Sequence, residues 1–327
     1  MLSLGFLYWA LRGVSFADFL AHVRHANPWL FLASVVLATC TFPARASRWR
    51  IILAASGSPV RWRPVWHATA IGFMANNLLP ARAGELARAY AASRFVSLPL
   101  ARSVGSIAVE RVFDGLIVVL LLALVIATVD FPGGALVVAG ASVSATAAWT
   151  GTIFILALGV LFFLVHAPRS ALRGLAAVVR RMAPGTGGEL VVRLARSFIE
   201  GLSILRSPAD FARVVGWSLA VWLINAAAFY TAFLAFHLGP LPFGAALLLQ
   251  GVVAVGVALP SSPGFFGAFE YFSRIALGLY GVRPGAAVSF AVGTHLGWFI
   301  PITAIGLWYL ARSGLSLHEI AASRDAG

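Results

Sequence analysis

The sequence predicts an all-α polytopic membrane protein, built as an inverted-topology repeat with two re-entrant helical hairpins. Three observations carry that expectation. The chain is 60% hydrophobic and 11% charged over 327 residues, with a mean hydropathy of +0.91, far more apolar than a soluble globular domain. Its apolar runs are continuous and long enough to cross a hydrocarbon core of roughly 30 Å as helices, unlike the alternating segments of about ten residues in a β-barrel. The pattern Leu-Pro-x-x-x-Gly then occurs twice, at Leu79-Pro80 with Gly84 and 180 positions later at Leu259-Pro260 with Gly264. Pro lacks the N–H that a helix interior needs and Gly loosens the backbone, so an apolar helix breaks at both places.

The elements follow in order. Residues 1–12 are apolar but too short to span alone, which leaves open where the true N-terminus lies; a cleavable signal pattern is not expected. Residues 15–26 have amphipathic spacing, with Ser15 and Asp18 near the start. Residues 29–49 span, and Arg45, Arg48, Arg50, Arg61 and Arg63 gather at the far end. Residues 65–79 form a short apolar arm that Pro80 ends, and Arg82, Glu85, Arg88, Arg94 and Arg102 follow it. Residues 104–129 span again, and 149–166 span back after a stretch rich in Gly, Ala and Ser. Residues 167–213 are the strongest basic block, within which 189–205 has amphipathic spacing suited to a membrane surface. Residues 214–238 span, 242–259 form a second short arm, 265–280 return from the break, and 284–310 span last.

Charge orients these pieces. Arg-rich flanks lie in the cytoplasm, which places the 167–213 block and the C-terminus (Arg312, Arg324) inside. The arm pair around Pro80 has Arg-rich flanks and enters from the cytoplasm; the pair around Pro260 has almost no flanking charge and enters from outside. One transmembrane domain results: repeat one at about 29–129, a connecting helix and cytoplasmic amphipathic segment at 149–213, and repeat two at about 214–310. Two broken segments at corresponding points of two inverted halves are the mark of a transporter site. Arg12, Arg24 and Arg283 are exceptions to the charge rule.

All 24 basic residues are Arg, and the net charge is +13. In a membrane protein this reports topology and contact with anionic phospholipid headgroups rather than nucleic-acid binding. The single Cys40 excludes an intramolecular disulfide and a Cys-rich metal site. The chain carries no His/Glu zinc spacing, nucleophile elbow or phosphate loop, so neither a catalytic residue, a metal nor a cofactor is expected.

Three constellations could carry chemistry. In the first, around Pro80, Arg82 and Glu85 are three apart, as are Glu85 and Arg88, so each pair shares a helix face. Gly84 sits in the break, and Asn76 and Asn77 lie in an apolar run, where unpaired amides are costly. In the second, Glu110 and Asp114 are four apart and repel unless a cation lies between them; Arg111, Arg82 and Arg88 are the candidates. An ion-pair clamp and a polar lining for a headgroup both fit this pattern. In the third, Pro260, Pro263, Gly264 and Gly267 break the helix, Ser261 and Ser262 can satisfy freed backbone groups, and Glu270 is a lone acid on the returning arm. His295 lies mid-helix about 185 residues after Glu110, at roughly the equivalent place. Arg274 and Asn225 are weaker candidates.

Taken together, Arg48-Trp49, the run from Asn77 to Glu85 with Arg88, Glu110-Arg111-x-x-Asp114, and Pro260-x-x-Pro263-Gly264-x-x-Gly267-x-x-Glu270 resemble the membrane domain of lysylphosphatidylglycerol synthase/flippase proteins. The resemblance covers nearly the whole chain. It implies that the membrane domain moves a lipid that a separate soluble domain makes, and no segment for such a transferase is expected in these 327 residues. The expectation is therefore a lipid flippase or transporter of the bacterial inner membrane, moving an anionic, aminoacylated or glycosylated lipid without synthesising it. Arg82, Arg88 and Arg111 would hold a phosphate or other anionic group, Glu85, Glu110, Asp114 and Glu270 would balance those charges or bind a cationic headgroup, and Asn77 and His295 are further candidate substrate-binding residues. The alternatives are a membrane-embedded transferase acting on lipid-linked substrates and a non-transporting scaffold of a hopanoid or glycolipid pathway. Substrate, direction, coupling and oligomeric state are not readable from the sequence.

Overall fold

Long apolar windows and the two Pro breaks fix the order of helices. The computed structural model describes residues 2–54, 59–79, 83–128, 166–182, 186–202, 207–258 and 262–315, with isolated positions between 152 and 164. Within them the chain is helical: α1 (Leu2–Leu11), α2 (Phe16–His25), α3 (Pro28–Ala54), α4 (Trp62–Leu78), α5 (Ala83–Phe95), α6 (Leu100–Thr128), α7 (Pro168–Met182), α8 (Thr186–Gly201), α9 (Pro208–Ala235), α10 (Phe243–Ala258), α11 (Ala268–Gly278) and α12 (Pro284–Ser313). A 3-10 turn at Pro263–Phe265 precedes α11.

α3, α9 and α12 are long and apolar enough to cross a bilayer, so the chain is a multi-pass membrane protein. The segment expected to span at 104–129 is helical, as α6 over 29 residues, and its first half carries Glu110, Arg111 and Asp114. The span expected at 149–166 falls mostly outside the described residues, as do the breaks at Pro80 and Pro260 themselves and the expected site residue Arg82.

Lipid tails are as apolar as Leu, so helices in a membrane associate through close packing and interhelical hydrogen bonds at small residues. α3 and α9 obey this: the Ser34 hydroxyl donates to the carbonyl of Ala228 at 2.9 Å. α4 folds back on α5 through glycine. A Cβ at Gly84 would fall onto the carbonyl oxygen of Gly72, and the Gly84 N–H donates to Asn76 Oδ1 at 3.0 Å. That bond accounts for one of the two amides in this apolar run. The other, Asn77, donates to Thr303 Oγ1 at 2.7 Å and so ties the end of α4 to α12.

α10 and α11 form the corresponding pair, with Gly256 against the Phe272 ring. Their connection needs positive φ at Gly264 (65°), Phe265 (63°) and Gly267 (88°), a region that Gly enters freely and Phe rarely. Ser262 supplies the expected backbone repair, donating to the carbonyl of Phe266 at 2.9 Å. The described flanks of the two breaks meet: a Cβ on Gly264 would stand 3.3 Å from the carbonyl oxygen of Asn77.

Two apolar cores flank this meeting point. One stacks Phe229, Phe233, Phe236 and Phe290 between α9, α10, α11 and α12. The other packs Trp49, Leu53, Ile71 and Met74 with the alanines of α5. α8, with the amphipathic spacing expected of a surface segment, packs on the first half of α6 so tightly that a Cβ at Gly105 would lie 2.6 Å from the Ser197 carbonyl carbon. α1 packs on α11, where the Arg274 guanidinium donates to the carbonyls of Trp9, Ala10 and Arg12 at 2.9, 2.7 and 2.8 Å. A cation on the free carbonyls of a helix C-terminus is favourable, and this gives Arg274 a place in holding α1.

Candidate functional site

α3, α5 and α6 converge on one network of guanidinium and carboxylate groups. Glu110 on α6 is fully buried. Its two oxygens receive Arg88 of α5 as a fork, Nη1 to Oε1 at 2.9 Å and Nη2 to Oε2 at 2.8 Å. Two parallel charge-assisted bonds are the strongest arrangement available to this pair. The Arg88 guanidinium lies 3.8 Å from the centroid of the Trp49 ring, and Trp49 Nε1 donates to Ser106 Oγ at 2.8 Å, which fixes the ring beneath it.

Asp114, one helical turn on, collects the rest. Arg48 Nη1 donates to its Oδ1 at 2.7 Å and to Ser218 Oγ at 3.0 Å. Trp222 Nε1 donates to the same Oδ1 at 3.2 Å, and Arg45 Nη1 reaches Oδ2 at 3.3 Å. Arg111 Nη2 bridges the acids, 2.8 Å from Glu110 Oε1 and 3.3 Å from Asp114 Oδ2, and its Nε lies 3.8 Å from Glu85 Oε1. The repulsion between Glu110 and Asp114 is thus relieved by Arg111, as the sequence allows, and also by Arg48, whose Nη2 stands 3.2 Å from Glu110 Oε1.

The pairing differs from the sequence expectation in one respect. Arg88 and Glu85 share a face of α5, yet Arg88 turns to Glu110 and Glu85 to Arg111. Spacing of three residues identifies a common face; it does not fix which charge across the interface is nearer. Sequence reasoning also assigned Arg45 and Arg48 to the end of a span. α3 continues to Ala54, so both lie within it, and Arg48 is completely buried. The signal that could have found them was the same i, i+3 spacing, set against two acids in need of a cation.

Four guanidinium groups (Arg45, Arg48, Arg88, Arg111) face two buried carboxylates (Glu110, Asp114), with Glu85 at the outer edge. The cluster therefore keeps positive charge in excess. Among the described residues, Nε of Arg48 and Nε of Arg88 are buried without a hydrogen-bond partner. The cluster opens through Arg111 and Glu85, whose side chains are 40% and 38% exposed. Both line a groove of about 690 Å³ whose other walls are Leu86, Val104, Ile107, Ala108, Val112 and Phe198. A guanidinium at the edge of an apolar groove can hold an anionic headgroup while the walls accept a chain.

The second half holds a smaller pair. His295 Nδ1 lies 2.6 Å from Glu270 Oε1, and its Nε2 lies 2.7 Å from the carbonyl oxygen of Gly264. The other Glu270 oxygen accepts the Gly267 N–H at 2.7 Å, closing the turn that starts α11. This pair corresponds in position to Arg88 and Glu110. Each joins the arm after a break to the next long helix, with the base on the arm in the first half and the acid on the arm in the second. Asn77, Pro263, Gly264 and Gly267 belong to this region and not to the Arg cluster. Asn225 donates to Gln250 Oε1 at 3.2 Å.

Residues 1–306 match the family described as the lysylphosphatidylglycerol synthase TM region. The chain belongs to that family. It is also 31% identical over 290 residues to glycosyltransferase AglD of Haloferax volcanii, a match covering 83% of this chain and 46% of that protein. The chain thus aligns with less than half the length of that relative. Within this family region, the Arg48-Trp49 pair and the Glu110-Arg111-x-x-Asp114 segment supply the two sides of one buried network.

A third feature was not anticipated from sequence. Trp62 and Trp66 stack at 5.9 Å, His67 stacks on Tyr309 at 4.1 Å, and with Arg63, Trp308 and Arg312 they line a pocket of about 460 Å³. Aromatic rings with interleaved Arg suit the headgroup layer of a bilayer.

Proposed function

We propose that this protein moves a lipid with an anionic or glycosylated headgroup across the membrane and does not synthesise it. The observation that carries the reading is the net-positive Arg cluster opening, through Arg111, into an apolar groove between α5, α6 and α8. The headgroup exchanges for part of the Glu85 contact at Arg111, and the acyl chains stay against the apolar walls or in the lipid. Burial of ionised groups in a bilayer costs on the order of 2.5–3.5 kcal/mol each on insertion scales, so such a cluster is retained where it has a use.

The order long helix, broken pair, long helix occurs twice, as α3, α4–α5, α6 and as α9, α10–α11, α12. With the positional match of Arg88–Glu110 to Glu270–His295, it supports an inverted repeat in which both broken pairs are re-entrant. Arg-rich flanks support an inner membrane protein with its C-terminus in the cytoplasm. The relative named a glycosyltransferase favours a glycosylated lipid as the second headgroup class.

Reconstitution tests the reading. Vesicles containing the pure protein and fluorescent lipids of several headgroups should lose outer-leaflet signal to a quencher and then the inner-leaflet signal at an accelerated rate. Ala108→Trp, which fills the groove, should slow that second phase. Absence of acceleration for every headgroup would rule the reading out.

A further inference from the structure

We propose that Glu270 and His295 form a proton-binding site, and that release of its proton unlatches the turn at residues 262–267 and couples lipid movement to a proton gradient. The inference rests on the lipid-moving reading above. Its starting point is a count of protons. Both ring nitrogens of His295 face acceptors: Nδ1 faces a Glu270 oxygen at 2.6 Å and Nε2 faces the Gly264 carbonyl at 2.7 Å. A neutral imidazole donates from one nitrogen and accepts at the other. Both contacts are hydrogen bonds only when one further proton is present, either on the imidazole or on the Glu270 carboxyl. Either way the pair holds that proton in a site that is nearly closed, with Glu270 1% and His295 7% exposed.

Removing the proton breaks one contact or the other. If the imidazole keeps Nδ1–H towards the Glu270 carboxylate, the Nε2 lone pair faces the Gly264 carbonyl oxygen and that contact becomes repulsive. If it keeps Nε2–H, the repulsion falls between Nδ1 and the carboxylate. The first outcome retains the charge-assisted bond and lets go of Gly264. Gly264 sits in a connection that holds three positive-φ residues, and its Cα faces the carbonyl of Asn77 at the end of α4. Release there frees the end of α4, which packs through Gly72 on Gly84 of α5, the helix that carries Glu85 and Leu86 of the groove. The proton leaves to water on one side of the membrane and is replaced from the other, so each cycle moves one proton and leaves the pair unchanged.

Other titratable groups lie on the elements around the pair, among them Arg63 on α4 and Tyr280 just past α11. The helix of Glu270, α11, carries Tyr271, stacked on Phe6, and Arg274, held by the α1 carbonyls. From α1 come Tyr8 and, just past its end, Arg12, next to Trp9. α10 carries no titratable side chain. α4 contributes His67, stacked on Tyr309 of α12, and α3 contributes Arg45 and Arg48, bound to Asp114. α2, with His22, Arg24 and His25, meets α12 at Ser289, before His295 along the helix. α9 brings Tyr230, against Phe243, and the Asp210–Arg213 pair at its start. Directly against the imidazole are the rings of Phe266 and Phe269, each with its centroid 4.5 Å away.

Glu270→Gln isolates the proton. The Gln carbonyl accepts the Gly267 N–H, its amide donates to Nδ1, and Nε2–H donates to Gly264, so every hydrogen bond survives with no exchangeable charge. The experiment is transbilayer movement of fluorescent lipid in vesicles with an imposed pH difference. Wild type should shift the steady-state lipid distribution by up to about tenfold per pH unit at one proton per lipid, and E270Q should still move lipid but ignore the gradient. A wild-type distribution indifferent to the gradient, or an E270Q distribution that follows it, overturns the proposal. If wild type moves no lipid in the panel, the transport reading fails and the proton site is judged separately. Acid–base titration in detergent between about pH 5 and 9 should then release one more proton per wild-type chain than per E270Q chain, and equal counts overturn it.

Discussion

Arg88 of α5 grips Glu110 of α6 at two points, 2.9 and 2.8 Å, with the Trp49 ring of α3 3.8 Å below the guanidinium. Three helices are therefore locked by one residue. Breaking a buried pair by removing one partner costs about 3–5 kcal/mol, because the other charge stays buried alone. Arg88→Gln and Glu110→Gln should each lower the melting temperature sharply in detergent. The double variant should be less destabilised than the sum, with a coupling of about 0.5–3 kcal/mol. Strict additivity would mean the fork contributes nothing.

Trp49 can be tested apart from the ion pair. Trp49→Phe keeps a ring under Arg88 but loses the 2.8 Å bond to Ser106, an expected loss of about 0.5–1.5 kcal/mol. Trp49→Leu also loses the ring face and should cost more. Equal effects of the two would deny the cation–π contact a role.

The crossing of α4 and α5 depends on two glycines. Gly84→Ala places a methyl against the Gly72 carbonyl and 2.5 Å from the Asn76 nitrogen, and overpacking of this kind costs about 1–3 kcal/mol or more. Gly115→Ala on α6 meets nothing within 4 Å and should be neutral or slightly stabilising. Thermal melts of the pair should separate clearly; a tolerated Gly84→Ala would mean the two helices do not touch there.

Arg274 anchors α1 by its carbonyls. Arg274→Gln should speed amide exchange over residues 2–11 while leaving exchange in α3 and α9 unchanged. Unaltered exchange in α1 would assign its order to Phe6 and its neighbours instead.

Hydropathy and Pro made the helix order, the two breaks and the class of protein legible, because both act along the chain. The cluster was legible in part. Glu110, Arg111, Asp114, Glu85 and Arg88 were visible as charges in apolar sequence, and the need for a cation between the two acids followed from their spacing. Arg88 was among the candidate cations and meets Glu110 across 22 residues; Arg45 and Arg48, which meet Asp114 across 69 and 66, were not. Such pairings depend on how α3, α5 and α6 cross, which local spacing does not encode. The offset of about 185 residues from Glu110 singled out His295, but its bond to Glu270 needed the fold of α11 on α12.

The central claim is that an anionic headgroup sits at Arg111, where the buried cluster meets the apolar groove. Native mass spectrometry of the protein in mild detergent, wild type against Arg111→Gln, measures this most directly. The account predicts wild-type adducts enriched in anionic or glycosylated lipids relative to the membrane and their loss from a folded Arg111→Gln variant. Identical adducts on both proteins, or wild-type adducts that simply mirror the bulk lipid, would contradict it.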